Sequence, residues 1–368
     1  MKQNPLLRLS ALGQSVWLDY IRRDLLTDGG LAAMVAEDGL AGITSNPNIF
    51  EDAIAHHDFY DDEIRALLAD GADRDRLYRT LTTGDVTRAA DILRPLWETT
   101  AGRDGLVSLE VSPHLAHDTE GTVAEAMALW RSVGRPNLMI KVPGTRAGLP
   151  AITRLIAAGI NVNVTLLFSV ARYREVVEAF LAGLEQRRAA GQPLAGIASV
   201  ASFFISRIDT LVDAELDRCS ASQPDAAAAR GTAAVACARL AYRHYRVWTR
   251  SARWQALVAA GAQPQRLLWA STSTKDPAYS DVRYVEELIA PDTVNTLPPA
   301  TFAAYRDHGA PALRLEPGIA AAERQIAGLA ALGIDLERAA AQLEREGVAK
   351  FAAAHDALLA ILAARCNG

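Results

Sequence analysis

The runs NLMIKV at residues 137–142 and INVNVTLL at residues 160–167 decide the fold class of this chain. Each run is short, apolar and rich in β-branched residues, which favours a buried strand over a helix. The segment between them is long enough for the helical crossover that parallel neighbouring strands require. The two runs therefore predict a strand–helix–strand unit within a parallel sheet.

The same alternation extends from this unit in both directions. Amphipathic stretches such as VTRAADILRPLWETTA, apolar at i, i+3, i+4 and i+7, are typical of helices and separate further apolar runs. Eight strands alternating with helices predict an α/β fold, and eight is the number that closes a (β/α)8 TIM barrel. A doubly wound sheet is the alternative, but no G-x-G-x-x-G follows an early strand. The six other predicted strands are 15–19, 41–45, 106–111, 197–202, 266–271 and 293–297.

We expect residues 1–368 to form a single barrel domain with additions. Two connections, 47–105 and 208–265, are longer than a barrel needs and are expected to hold extra helices. From about residue 299 the chain is expected to continue as a helical C-terminal extension. Its alanine runs favour helices over linkers, because alanine has the strongest helix propensity.

Composition narrows the class of function. Half of the residues are hydrophobic and the net charge is −5, with no basic run interleaved with aromatic residues, which argues against a nucleic-acid partner. The N-terminus lacks the apolar run of a secretory signal, and no stretch approaches the ~18 consecutive apolar residues of a membrane span. The three cysteines form no C-x-x-C pair, which is typical of reduced thiols. We therefore expect a cytoplasmic protein without a membrane partner.

Polar residues recur near one end of the predicted strands. An aspartate ending a strand can cap a helix, and a lysine there can extend to solvent, so each residue alone has a structural explanation. A run of consecutive strands with polar residues at the same end is harder to explain by packing, and barrel enzymes place their catalytic groups at this rim. The set predicts a shared site that contains Asp19, Thr44, Asn46, Glu110, Lys141, Asn163, Thr165, Ser202 and Ser271.

Lys141 is the candidate nucleophile of this site. A neutral lysine amine can attack a ketone and lose water to give an iminium, which then accepts electrons. This chemistry needs a carboxylate to move protons, and Asp19 and Glu110 are the candidates. The spacing His114-x-x-His117 has no evident third ligand, so no metal site is expected. The sequence contains neither a P-loop nor a G-x-S-x-G elbow.

Six motifs in order resemble those of transaldolases, which are class I Schiff-base aldolases, and specifically the longer bacterial subfamily. T-S-N-P, followed about 95 residues later by I-K-V-P-G-T, is specific in combination. The resemblance extends from about residue 12 to LEREGVAKFAAAHDAL near the C-terminus. The motifs are VWLDYIRR, GITSNPNIF, LEVSP, LMIKVPGT, NVNVTLLFS and ASFFISRID.

The resemblance implies a TIM barrel whose Schiff-base lysine on strand four is Lys141. It implies that Asp19 is the acid/base aspartate and that Glu110 and Thr165 hold a catalytic water. It also implies that the substrate hydroxyls are bound by Asn46, with Thr44 beside it, and by Asn163.

For the phosphate, the resemblance implies a serine after strand six and an arginine five residues on, which match Ser202 and Arg207. Many transaldolases carry a second phosphate-binding arginine after strand seven, but the segment here reads WASTSTKDP. Lys275 is the expected replacement, with hydrogen bonds from Ser271 and Ser273. Lysine lacks the bidentate fork of arginine, so this part of the site departs from the family pattern.

The implied activity is transfer of a dihydroxyacetone unit from sedoheptulose 7-phosphate or fructose 6-phosphate to glyceraldehyde 3-phosphate or erythrose 4-phosphate. This reaction belongs to the non-oxidative pentose phosphate pathway and requires no cofactor. The expected partners are small sugar phosphates, and both a monomer and a homodimer remain open. One alternative is a class I aldolase that releases free dihydroxyacetone. Another is an inactive barrel that only binds sugar phosphates, which predicts loss of the lysine or a carboxylate, and none is lost.

Overall fold

Eight parallel strands close into a barrel in the computed structural model, which describes residues 4–219 and 225–366. Each strand pairs with its neighbours in sequence, and the last pairs with the first. The predicted fold class and all eight predicted strands are confirmed, with ends that differ by two residues or fewer. The strands are β1 Gln14–Asp19, β2 Leu40–Thr44, β3 Leu106–Glu110, β4 Leu138–Pro143, β5 Val162–Leu167, β6 Ser199–Phe204, β7 Arg266–Ala270 and β8 Thr293–Leu297.

Helices connect the strands and surround the barrel. The predicted extra helices are present in both long connections, and the predicted helical extension follows β8. The helices of the first half are α1 Pro5–Ala11, α2 Arg23–Thr27, α3 Gly30–Asp38, α4 Pro47–Ala55, α5 Asp61–Ala69, α6 Arg74–Thr99, the 3₁₀ helix η1 Pro113–Leu115, α7 Thr119–Val133, α8 Gly148–Ala158 and α9 Val170–Ala189. Those of the second half are α10 Ser206–Cys219, α11 Asp225–Ala229, α12 Ala233–Trp248, α13 Ala252–Val258, α14 Arg283–Glu286, α15 Pro299–His308, the 3₁₀ helix η2 Glu316–Gly318, α16 Ile319–Ala331 and α17 Leu336–Cys366.

The strand register brings the predicted site residues side by side. Lys141 pairs with Glu110 of β3 on one side and with Asn163 of β5 on the other. Asp19 pairs with Thr44 across β1 and β2. Because all strands run in the same direction, these residues lie at the carboxyl end of the barrel, where the loops leave room for a ligand.

The long C-terminal helix α17 packs against α4, α6, α10, η1 and the end of β5. Close approach to β5 depends on Gly347, since a Cβ atom there would lie 2.8 Å from Leu166 Cδ2. Four residues later, Phe351 is also buried. By length and composition alone, α17 is the one described helix that could cross a membrane, a test that core helices of soluble proteins also pass. Here its buried face covers part of the barrel mouth.

Candidate active site

A cavity of about 360 Å³ opens at the carboxyl end of the barrel. A larger, mainly apolar cavity of about 500 Å³ lies among α10, α12, α16 and α17 and contains none of the predicted site residues. The chemistry predicted from the sequence therefore belongs to the smaller and more polar cavity. Its lining includes nine predicted residues, namely Asp19, Thr44, Asn46, Lys141, Ser202, Arg207, Ser271, Ser273 and Lys275.

Lys141 is the only buried lysine among the described residues. Its Nζ lies 3.2 Å from Glu110 Oε2 and donates a hydrogen bond of 3.1 Å to the Ser45 carbonyl oxygen. The ring of Phe351 lies 5.7 Å from the same nitrogen, as measured to the ring centroid. The amine is thus held by a carboxylate, a carbonyl and an aromatic face at the edge of an open cavity.

Asp19 stands at the end of β1 as the second carboxyl group of the mouth. Its Oδ1 accepts a hydrogen bond of 2.6 Å from Thr44 Oγ1, which also lies 2.7 Å from Thr296 Oγ1. Burial raises the pKa of Asp19, and the positive charges of Lys141 and Arg207 oppose that rise. A carboxyl group whose pKa is raised toward neutrality is better suited to accept and return a proton.

Glu110 and Thr165 flank Lys141 on the neighbouring strands β3 and β5, and neither of them lines the open cavity. Glu110 Oε2 and Thr165 Oγ1 are both buried without a hydrogen-bond partner, and the contact from Glu110 to Lys141 has the distance of an ion pair but not the angles of a hydrogen bond. Burial raises the pKa of Glu110, against the opposing charge of Lys141. Buried oxygens without partners are typical places for an ordered water.

Asn163 lies deeper in the barrel than the sequence suggested. Its Nδ2 donates to Ser108 Oγ at 3.0 Å, and its Oδ1 accepts from Ser202 Oγ at 2.7 Å. Both polar ends of the amide are therefore engaged inside the barrel, and Asn163 does not line the cavity. A direct contact with substrate requires an exchange of these bonds.

Ser202 lies further inside strand six than predicted. The sequence placed it at the last residue of the strand, but β6 continues to Phe204. Its hydroxyl hydrogen points to Asn163, which leaves Ser202 Oγ as an acceptor toward the cavity. The serine that follows the strand is Ser206, whose Oγ lies 3.0 Å from Ser271 Oγ. The predicted strand ended two residues early because Phe203 and Phe204 belong to β6 through their pairing with Trp269 and Ala270 of β7.

Asn46 combines a structural role with a place in the cavity lining. Its Oδ1 caps α4 by accepting a hydrogen bond of 3.1 Å from the Ile49 amide, and Pro47 begins the helix. The cap uses the side-chain oxygen and leaves the amide hydrogens of Nδ2 as donors. Asn46 is therefore fixed in orientation while it can still donate to a ligand.

Three cations line one side of the cavity: Arg207 at the start of α10, Lys275 after β7 and Lys350 on α17. No carboxylate of residues 4–219 and 225–366 forms an ion pair with any of them within 4.0 Å. The Arg207 guanidinium lies 5.2 Å from the centroid of the Phe204 ring, and Lys275 Nζ donates to Ser273 Oγ at 2.8 Å. Cations without carboxylate partners beside serine hydroxyls form a plausible pocket for an anion.

Burial and mutual repulsion both act on these cations. Burial lowers the pKa of Lys275, and the neighbouring charges of Lys350 and Arg207 lower it further. Burial also lowers the pKa of Arg207, against the attraction of Asp19 and Glu346. Ser271 has a left-handed backbone with φ of 55°, which is uncommon outside glycine and gives the segment after β7 its sharp turn.

Lys350, Phe351 and Thr296 were missed by the sequence analysis. Lys350 and Phe351 belong to a helix far along the chain from every strand end, so the rule that located the other residues did not apply to them. Thr296 precedes the last residue of β8 and was not singled out among the apolar residues around it. Lys350 could have been noticed because lysine is rare in this chain.

His114, for which the sequence showed no third metal ligand, contacts the C-terminal helix. Its Nε2 lies 2.7 Å from Asp356 Oδ1, and its ring meets the ring of His355 with 5.7 Å between centroids. His355 and Asp356 belong to α17, and His114 belongs to η1. These contacts fasten α17 to the loop that follows β3.

Comparison with known proteins gives one consistent result. The family model described as transaldolase/fructose-6-phosphate aldolase matches residues 16–362. A transaldolase of Saccharopolyspora erythraea is 53% identical over 352 residues, which cover 95% of this chain and 94% of the relative. A transaldolase of Thiobacillus denitrificans is 51% identical over 352 residues, covering 96% and 98%, respectively. Transaldolase 1 of Streptomyces avermitilis is 51% identical over 362 residues, covering 98% and 95%.

Proposed function

The chain belongs to the transaldolase/fructose-6-phosphate aldolase family, and from this premise we infer that it is a transferase of the transaldolase type. We propose that it moves a dihydroxyacetone unit from a ketose phosphate to an aldose phosphate through a Schiff base on Lys141. One observation carries the proposal. A single buried amine lies 3.2 Å from a carboxylate at the edge of an open cavity, with a second carboxyl group on the cavity wall.

The reaction begins when the neutral Lys141 amine attacks the ketone carbon of the donor. The new C–N bond gives a carbinolamine, whose hydroxyl group takes up a proton and leaves as water, so that an iminium remains. Glu110 is the acid/base group of this stage because it is the carboxylate nearest to Lys141 Nζ.

Asp19 acts in the second stage. Its carboxylate removes the proton of the C4 hydroxyl, the C3–C4 bond breaks, and the electron pair of that bond moves into the iminium to form an enamine. The aldose phosphate leaves, and the enamine carbon then attacks the aldehyde of the acceptor while Asp19 returns its proton. Because the iminium stores the electrons, the sequence of steps needs no metal or organic cofactor.

We assign a bound water to the space between Glu110 and Thr165. Both Glu110 Oε2 and Thr165 Oγ1 are buried without hydrogen-bond partners, on the two strands that flank Lys141. A water held by both oxygens would carry protons between the carbinolamine hydroxyl and Glu110. This arrangement supplies Thr165 with the partner that it otherwise lacks.

Substrate contacts divide between two sides of the cavity. We propose that Asn46 and Thr44 bind hydroxyl groups near the reacting carbons, and that Asn163 contributes after its internal hydrogen bonds rearrange. The phosphate lies on the cationic side, bound by Arg207 and Lys275 with the hydroxyls of Ser202 and Ser271. The preferred donors are fructose 6-phosphate and sedoheptulose 7-phosphate, in the non-oxidative pentose phosphate pathway.

Borohydride trapping tests the central step. Incubation with fructose 6-phosphate and sodium borohydride should leave a reduced covalent adduct on Lys141, located by peptide mass spectrometry. Lys141→Met should abolish the adduct, and Lys275→Met should retain it. An adduct on Lys275 or Lys350, or none in the wild-type protein, would refute the assignment.

An aldolase that releases free dihydroxyacetone is the second candidate, because the matching family model covers fructose-6-phosphate aldolases as well. The two activities share the Schiff base and differ in the fate of the enamine. Dihydroxyacetone release should be measured without acceptor, and transfer with erythrose 4-phosphate or glyceraldehyde 3-phosphate. Donor cleavage that is rapid and indifferent to acceptor would favour the aldolase.

We further propose that the protein acts in the cytoplasm on small sugar phosphates, without a nucleic-acid or membrane partner. The net charge of −5 is unfavourable for binding polyanions. The burial of one face of α17 against the barrel supports its role as a structural helix of the enzyme.

A further inference from the structure

Lysine is rare in this chain, and its few copies are not scattered. Among 38 lysines and arginines only four are lysine: Lys2, Lys141, Lys275 and Lys350. Three of the four line the same cavity. The chain thus uses arginine at nearly every ordinary basic position and lysine around the candidate active site, which suggests that Lys350 has a role there.

Packing fixes Lys350 at the barrel mouth. It precedes Phe351, which is buried with its ring centroid 5.7 Å from the Lys141 amine. One turn earlier, Gly347 allows α17 to approach Leu166 at the end of β5. The Cα atom of Lys350 therefore lies between two anchored points, and its exposed side chain reaches the cavity.

Electrostatics indicate what this side chain could bind. Lys350 is close enough to Lys275 to lower its pKa, and Arg207 acts on Lys275 in the same direction. The acidic residues near these cations are Asp19, Asp52 and Glu346, and none of them forms an ion pair with Lys350 within 4.0 Å in the described part of the chain. Like charges that share a cavity without ion-pair partners repel each other, and an anion bound among them offsets that repulsion.

We propose that Lys350 of α17 binds the substrate phosphate together with Lys275 and Arg207. The two lysines replace the second arginine that the family pattern places after strand seven. This inference rests on the proposed function and makes the C-terminal helix part of the substrate site. Because an ammonium group is a point charge without the planar fork of arginine, such a site recognises the charge of the phosphate more than its orientation.

The test compares three charge-removing variants with wild type. Lys350→Met and Lys275→Met should each weaken the binding of inorganic phosphate, measured by calorimetry, by about 10- to 100-fold, the usual range for one charge-assisted contact. The same variants should lose a similar factor in kcat/KM for fructose 6-phosphate, mainly through KM. Lys350→Arg should recover part of the loss. Arg345→Met is the matched control, because it removes a positive charge from an exposed position of the same helix outside the cavity.

A substrate without phosphate separates this inference from the proposed function. Borohydride trapping with dihydroxyacetone should label Lys141 equally in wild type and in Lys350→Met, since no phosphate is involved. Failure of wild type to be labelled would count against the Schiff-base function, whatever phosphate binding shows. If Lys350→Met binds inorganic phosphate as tightly as Arg345→Met does, Lys350 is not a phosphate ligand and the inference is wrong.

Discussion

Two arginines at opposite ends of the barrel differ in whether the protein supplies a carboxylate partner for their charge. At the amino end, Arg266 begins β7 and is buried, with Nη2 3.0 Å from Asp104 Oδ1 and Nη1 donating to Ser15 Oγ at 2.8 Å. At the carboxyl end, Arg207 is half-buried and has no carboxylate partner within 4.0 Å among the described residues. A charge removed from water requires a partner, and of these two arginines only Arg266 has a carboxylate partner within the described residues.

This difference separates residues that stabilise the barrel from residues whose contacts are completed by a ligand. The amino end closes the barrel with a permanent ion pair, which stabilises the fold in every state. Among the described residues, the carboxyl end leaves Arg207, Lys275 and Lys350 without carboxylate partners and Thr165 Oγ1 without a hydrogen bond, so a bound substrate can complete these contacts. The contrast agrees with the general division of barrel enzymes into a stability face and a catalytic face.

The largest expected effect comes from the residue at the centre of the carboxyl end. Lys141→Met should lower kcat/KM for transfer by about 10⁴-fold or more, because loss of a covalent nucleophile removes the whole pathway through the iminium. The measurement is a coupled assay with fructose 6-phosphate and erythrose 4-phosphate. Thermal unfolding should show that the variant is folded. Retention of more than about one per cent of activity would contradict the role of this lysine.

A substitution at the amino end should lower the stability of the protein and leave its activity unchanged. Arg266→Met leaves Asp104 partly buried without its partner and should lower the free energy of unfolding by about 3–5 kcal/mol. Urea unfolding followed by circular dichroism measures this change. Activity per folded molecule should be unchanged, because Arg266 lies at the opposite end from the cavity. A large loss of kcat in the folded fraction would contradict the proposal that the amino end serves stability and the carboxyl end serves catalysis.

Arg207→Met is the matched substitution at the carboxyl end. It should lower activity and leave stability unchanged or higher, the opposite of the result expected for Arg266→Met. It should lower kcat/KM for fructose 6-phosphate by about 10- to 100-fold through loss of a charge-assisted contact with phosphate. The free energy of unfolding should stay level or rise, since removal of the charge relieves repulsion with Lys275. Destabilisation as large as that of Arg266→Met would mean that Arg207 has a structural partner after all.

The smallest expected effect is the pH dependence that Asp19 contributes to stability. Burial raises the pKa of Asp19 in the folded state above its ordinary value of 3.8, so the folded protein binds more protons than the unfolded chain in that interval. Stability from this group is therefore present at low pH and is lost as pH rises through the folded pKa. Asp19→Asn should abolish this decrease in the free energy of unfolding, so the variant should be more stable than wild type at pH 7. It should also be inactive.

Urea unfolding of wild type and Asp19→Asn at several pH values between 4 and 8 measures the contribution as the difference between the two curves. The variant should retain the hydrogen bond from Thr44, because the asparagine oxygen can accept it. Asp104→Asn at the amino end is the control and should be destabilising, since it weakens the contact with Arg266. If Asp19→Asn is also less stable than wild type at pH 7, the ionised carboxylate of Asp19 does not destabilise the folded protein.

The sequence predicted best those features that depend on local pattern. Strands appear as short apolar runs, and polar residues at their ends identified Asp19 and Lys141 because neighbours in a parallel barrel meet at one rim. The end of β6, just after Ser202, was predicted two residues early because strand ends depend on pairing with the neighbouring strand as well as on local pattern. Lys350 was out of reach of this reasoning, since its position depends on how a distant helix packs across the mouth.

The packing of α17 against the barrel bears on when, during synthesis of the chain, the active site becomes complete. All eight strands precede α17 in the chain, so the barrel can form during synthesis while Lys141 still lacks the Phe351 ring and the cavity lacks Lys350. His114 and Asp356 then join the first half of the chain to its last helix. The lining of the cavity is therefore complete only when the helix made last has packed across the mouth of the barrel.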